Sequence, residues 1–174
     1  MPLPPRIPPT RAKAAHHCTP ADGTPSVEVL VVASGATQAQ FAQAFGNSNW
    51  HLESAASALE ALGRLRESPK AVVICEDPAQ DPVAQTEVAF DAPTGPWLDL
   101  LTELRRLSHP PKVIVASRRP GDRLWAEVLH QGGYDVVSLP LEAPEMLRLV
   151  STAWLEWRRE EEVPLKAAAA GSAA

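Results

Sequence analysis

Short runs of β-branched and aliphatic residues begin at Val27, Trp50, Ala71, Val113 and Asp135, and this recurrence limits the fold more than any other feature. The intervals are 23, 21, 42 and 22 residues. The shorter intervals each hold one strand, one helix and two brief connections. Alternating β-α units form a parallel sheet with right-handed crossovers and helices on both faces. The run Ala71-Val72-Val73-Ile74-Cys75 is apolar throughout, as a strand covered on both faces must be. Glu76 and Asp77 follow it at the strand end where open α/β sheets place their ligand chemistry.

The other elements follow in order. Val27–Val32 reads as a nearly apolar first strand. A helix over Thr37–Phe45 carries Phe41, Ala42 and Phe45 on one face and stops at Gly46. Trp50–Ser54 alternates like a strand nearer an edge. Ser57–Glu67 is a second helix whose stripe reads Leu59, Leu62, Leu65, closed by Pro69. Trp97–Leu107 is a third, with Leu98, Leu101 and Leu104 or Arg105 inward and Pro110-Pro111 as its stop. Val113–Ala116 is a buried strand, Leu124–Gln131 a helix ended by Gly132-Gly133, and Asp135–Ser138 the fifth strand. Pro144 opens a last helix with Met146 or Leu147, Val150, Trp154 and Trp157 inward, leaving for solvent at Arg158–Glu162. The order 2-1-3-4-5 puts the three most apolar strands in the centre of the sheet.

The 174 residues are 45% hydrophobic and 21% charged, enough for one domain with a real core. Residues 1–25 hold Pro2, Pro4, Pro5, Pro8, Pro9, Pro20 and Pro25 with few large apolar side chains, and read as a disordered or loosely extended tail. A domain over 26–160 follows, interrupted by a long loop over 78–96, and 161–174 reads as an Ala-rich tail. Arg6, Arg11 and Lys13 against Asp22 give the first 25 residues a formal +2, so the rest carries −7 of the chain's −5. That balance argues against nucleic acid as a partner. The apolar runs are too short to span a membrane, and the N-terminus lacks the apolar core of a secretory signal. Cys18 and Cys75 make no disulfide framework, so a cytoplasmic location is the default.

With Val29–Val32, Val72–Glu76, Val113–Ser117 and Gly132–Pro140 as its best local matches, the chain from Val27 to Arg159 resembles the receiver domain of two-component response regulators. The resemblance implies a flavodoxin-like fold and five functional positions. Ala33 and Ser34 stand where the family's magnesium-binding acidic pair belongs. Glu76 aligns with the phosphoacceptor aspartate, a one-residue slip bringing Cys75 or Asp77 there instead. Ser117 matches the switch hydroxyl, and Leu139 replaces the lysine before Pro140. Phosphoryl transfer needs a divalent ion and a cation against developing charge. Ala33 and Leu139 supply neither. The resemblance therefore implies a pseudo-receiver: no enzyme, no metal, no cofactor, and action by binding a histidine kinase or another signalling protein. It also implies contacts, homodimerisation included, through the fourth and fifth helices, with Trp125, Tyr134, Arg118 and Arg119 as candidate interface residues.

Alternative readings stand beside these. Glu76 is either a permanent stand-in for a phosphorylated acid near Ser117 or a solvated carboxylate. Glu76 or Asp77 could be a non-standard acceptor in a working regulator, Asp77 otherwise beginning a turn before Pro78. Glu76, Asp77 and Asp81 could hold a cation weakly. Cys75 could be a nucleophile, but suits a small buried hydrophobe better. His16-His17-Cys18 resembles a soft-metal triplet without a fourth ligand. Trp97, Trp154 and Trp157 are in phase with core stripes. Val88-Ala89-Phe90 is the apolar cluster able to pin the long loop. A small flavodoxin-like enzyme or nucleotide binder remains a further class, although Ala33-Ser34-Gly35-Ala36 has one glycine and no phosphate-cradling run.

Overall fold

The computed structural model describes residues 27–78 and 95–171, with side chains as far as Glu161. The elements are β1 Val27–Val32, α1 Gly35–Phe45, β2 Trp50–Ala55, α2 Ala58–Glu67, β3 Val72–Glu76, α3 Pro96–Leu104, β4 Lys112–Ser117, α4 Asp122–His130, β5 Asp135–Ser138 and α5 Ala143–Gly171. All strand pairs are parallel, in the order β2-β1-β3-β4-β5. The architecture is the expected doubly wound sheet. The proline-rich N-terminal segment, Asp81, the Val88–Phe90 cluster and the His16-His17-Cys18 triplet lie outside the described residues. No helix among the described residues is long and apolar enough to cross a membrane.

Strand alternation divides the core in two. Val29 and Val31 of β1, Val72 and Ile74 of β3, and Ile114 and Ala116 of β4 face one layer with Phe41, Phe45, Met146, Val150 and Ala153 of α1 and α5. Leu30, Val32, Val73, Cys75, Val113 and Val115 face the other, against α2, α3 and α4. Each central strand is apolar at consecutive positions because both faces are covered.

The helices differ from the sequence reading chiefly in which residues point inward. On α2, Ala61 and Leu65 are buried while Leu59 is 82% exposed. Steps of three drift round an α-helix by about 60° each, so Leu59 and Leu65 cannot share a face, whereas a step of four nearly closes a turn. Ala42 is exposed beside buried Phe41 and Phe45 for the same reason. On α3 the inward set is Trp97, Leu100, Leu101 and Leu104, with Arg105 as an exposed cap residue. On α5 the buried positions are Met146, Val150 and Ala153, and Trp154 and Trp157 pack at the core's edge. The backbone of α5 continues to Gly171, well beyond Trp157.

The stops and caps follow the chemistry of the sequence. Ser57 caps α2 by accepting from the Glu60 amide at 3.2 Å, and Glu60 reaches back to the Ala56 amide at 2.8 Å. At the end of α4, Gly132 takes φ +81°. The Gly133 amide donates to the Val128 carbonyl and that of Gly132 to Leu129, closing the helix as a Schellman turn.

One buried cation ties the strands together at their starts. Lys70, 5% exposed, bonds Glu28 of β1 and sits 3.0 Å from Glu53 of β2, which also pairs with Arg64 of α2. Removing the ammonium leaves two half-buried carboxylates facing each other. Lys70→Met is expected to lower unfolding stability by about 2 kcal/mol, less than a fully buried pair because water screens both glutamates. Urea denaturation with an unchanged slope would check it.

Candidate functional site

The first polar side chains of the inner strands appear together at their C-terminal ends. The pairing of Val32 with Cys75 sets Ala33 and Ser34 beside Glu76, and the pairing of Glu76 with Ala116 sets Asp77 beside Ser117. Alternation then sends the two acids to opposite faces. Glu76 shares the face of Val72 and Ile74, toward α1, and Asp77 that of Val73 and Cys75.

Glu76 is bound at both carboxylate oxygens. Oε2 accepts from the Ser34 amide at 2.7 Å and Oε1 from the Thr37 hydroxyl at 2.6 Å. Thr37 is fully buried, and the Ser34 hydroxyl donates to it at 3.3 Å. Ser34 is the N-cap of α1, whose first turn carries no acidic residue and whose cap side chain accepts from no first-turn amide. Glu76 therefore brings to α1, from another strand, the carboxylate that a capping box takes from within the helix. Burial pushes the Glu76 carboxyl up, but the bonds from Thr37 and Ser34, with the charge of Arg118, outweigh it and hold the group below its ordinary 4.5.

Asp77 is a second, separate centre. It is 5% exposed, its amide donates to the Ala116 carbonyl at 2.8 Å, and its Oδ2 accepts from the buried Ser117 hydroxyl at 3.3 Å. Ser117 Oγ in turn accepts from the Arg119 amide at 3.2 Å, fixing the turn after β4. The serine thus faces Asp77, not Glu76. Asp77 is no solvated turn residue, and Glu76 is no solvated strand end. Leu139 is 6% exposed, its amide donates to the Ser117 carbonyl at 2.8 Å, and a cis bond joins it to Pro140.

Cys75 lies fully buried in the α2–α3–α4 layer. Burial first, then the charges of Asp77 and Glu76, push its thiol up to about 12, so it stays protonated and packs as a hydrophobe. Among the described residues, no three His, Cys, Asp or Glu side chains stand together to hold a metal ion. Of the candidate interface residues, Arg118 and Arg119 are exposed beside the site. Trp125 is 50% exposed on α4, and its indole donates to Asp135 Oδ1 at 3.0 Å. Tyr134 is half-buried before β5, with Lys112 Nζ 6.0 Å from its ring centre. Burial, then Glu156, pushes its hydroxyl up to about 12.

Sequence reasoning placed Thr37 only as a helix start and missed it as the partner of Glu76. A period-two count through Val72, Ile74 and Glu76, set against the apolar phase of α1, would have found it.

Because the Glu76 carboxyl is depressed, its contribution to stability is present above pH 4.5 and is lost as pH falls through the lower folded-state value. Glu76→Gln is expected to be less stable than the parent at neutral pH, with the gap closing in acid. Thr37→Val is expected to cost about 1 kcal/mol. Thermal melts of both variants between pH 3 and 7 check the sign.

No family model and no curated protein matches the sequence. Solved structures do. A signal receiver domain from Vibrio parahaemolyticus superposes with TM-score 0.63 at 16% identity, covering 79% of this chain and 97% of its own. A receiver domain protein from Methanospirillum hungatei JF-1 gives 0.60 at 16% identity over 78% and 98%. A response regulator from Thermotoga maritima gives 0.59 at 19% identity over 74% and 98%. The chain therefore has the fold of the response-regulator receiver domains.

Proposed function

We infer that this chain is a pseudo-receiver: a signalling protein of two-component type that acts by binding other proteins, in the cytoplasm, without aspartyl-phosphate chemistry of its own. The observation that carries the reading is the double engagement of Glu76. An acceptor acid must present a free oxygen in line with a phosphodonor, next to a divalent ion. Here both oxygens already accept hydrogen bonds from the turn that would flank such an ion.

The residues present do not fit the magnesium ion that the fold family implies. Magnesium takes hard oxygen ligands in near-octahedral geometry, usually one or two carboxylates plus water. Ala33 has no donor atom, Ser34 turns its amide toward Glu76, and Asp77 is engaged by Ser117. At the remaining family position, buried Leu139 offers no charge.

Partner binding then falls to the exposed surface. Trp125 at 50% exposure and Leu129 at 36% lie one turn apart on α4, near the Arg118-Arg119 pair. An indole already oriented by Asp135 is a pre-ordered anchor for a histidine kinase, another signalling protein or a second copy.

Incubation with Mg²⁺ and acetyl phosphate, read by intact mass, is expected to leave the chain unmodified. A gain of one phosphoryl group that disappears in Glu76→Ala or Asp77→Ala would make this a working switch with a non-standard acid and would sink the pseudo-receiver reading.

A further inference from the structure

The end of the sheet opposite Glu76 carries a row of aromatic side chains that the signalling site does not use. Phe45 closes α1, Trp50 opens β2, and Trp154 and Trp157 lie on α5. Phe45 and Trp50 meet edge to face at 6.3 Å between centres, and Trp50 and Trp154 at 6.5 Å. Trp157 stacks on His109 at 4.2 Å and 14°. The three tryptophans and His109 are half-buried, and the tryptophans each pack partly on the α1–α5 core. Arg158 lies 5.2 Å over Trp154. Trp157 Nε1 and His109 Nε2 find no hydrogen-bond partner among the described residues. Those two nitrogens are already enclosed by the fold, but an aromatic row left half open is costly unless something covers it.

We propose that this row is the docking site of the chain's own N-terminal segment, residues 1–13. The described residues begin at Val27, which pairs with Trp50 in the sheet register, so the chain that leads to them reaches the fold beside the row. The N-terminal segment carries Pro2, Pro4, Pro5, Pro8 and Pro9, with Arg6, Arg11 and Lys13. Closely spaced prolines favour the polyproline II helix, whose carbonyls have no internal partner and so accept from outside donors such as indole N–H. Such helices lie in aromatic-lined grooves at low entropic cost. Arginines add stacking on indole faces, as Arg158 already does on Trp154. Charge points the same way: the first 25 residues carry +2 and the rest −7, and Glu161 lies one turn beyond Trp157 on α5. The residues between Lys13 and Val27 span up to about 40 Å when extended, ample to cross the foot of the sheet.

The test uses the full chain and proton–nitrogen correlation spectra of its tryptophan indoles, each assigned by a single Trp→Phe variant. Replacing Pro4, Pro5, Pro8 and Pro9 by serine is expected to shift the Trp50, Trp154 and Trp157 signals at every chain concentration. Trp97, fully inside the fold, stays in place and reports that the core is intact. A free peptide of residues 1–13, added to the serine variant, is expected to return the three signals toward their parent positions. Unmoved indole signals, or a peptide that restores nothing, would overturn the proposal. Shifts present only at high concentration would assign the site to the segment of a second copy and overturn docking within one chain.

Discussion

The burial of β1, β3 and β4 on both faces is the constraint on which this structure rests. A strand covered on both sides admits polar side chains only near its ends, so Leu30, Val73, Ile74, Ile114 and Val115 are all fully buried. Polar chemistry is thereby pushed to the strand ends, and parallel pairing brings the C-terminal ends together. Ser34, Glu76, Asp77 and Ser117 meet for that reason. They then satisfy one another, because a carboxylate half out of water must find donors. Two separate groups result, Glu76 with Ser34 and Thr37, and Asp77 with Ser117, and α1 is capped by an acid from β3.

Much of this was legible in the sequence. Four apolar runs and one alternating segment gave the strands to within a residue or so, their spacing gave the β-α alternation, and the order followed from placing the three most apolar strands in the centre. The strand end as the place of the polar cluster was legible too. The helix faces were less so. Leu59 looked like core by hydrophobicity and spacing, yet the helix turns it to solvent and seats small Ala61 instead. A stripe of leucines at intervals of three carries no phase of its own. The direction of each acid was missed: the stand-in reading set Glu76 near Ser117, whereas strand alternation sends Glu76 to Thr37 and Asp77 to Ser117.

The two ends of the sheet then play different roles. At one end Glu76 is held by Ser34 and Thr37, and Asp77 by Ser117. At the other, buried Lys70 ties β1 to β2, and the aromatic row lies beside Val27, where β1 begins. The fold fixes the core and the place of the polar cluster, and it does not by itself fix what the surface does.

The central claim is that Glu76 is a fixed cap of α1 and not a ligand waiting for a cation. Titration of the full chain with Mg²⁺, following the backbone amide signals of Ser34 and Thr37, tests it most directly. The account predicts that both signals hold their positions through the millimolar range, as the carboxylate remains with its two donors. A saturable shift of both, absent in Glu76→Gln, would show the carboxylate leaving α1 for the ion and would contradict the account.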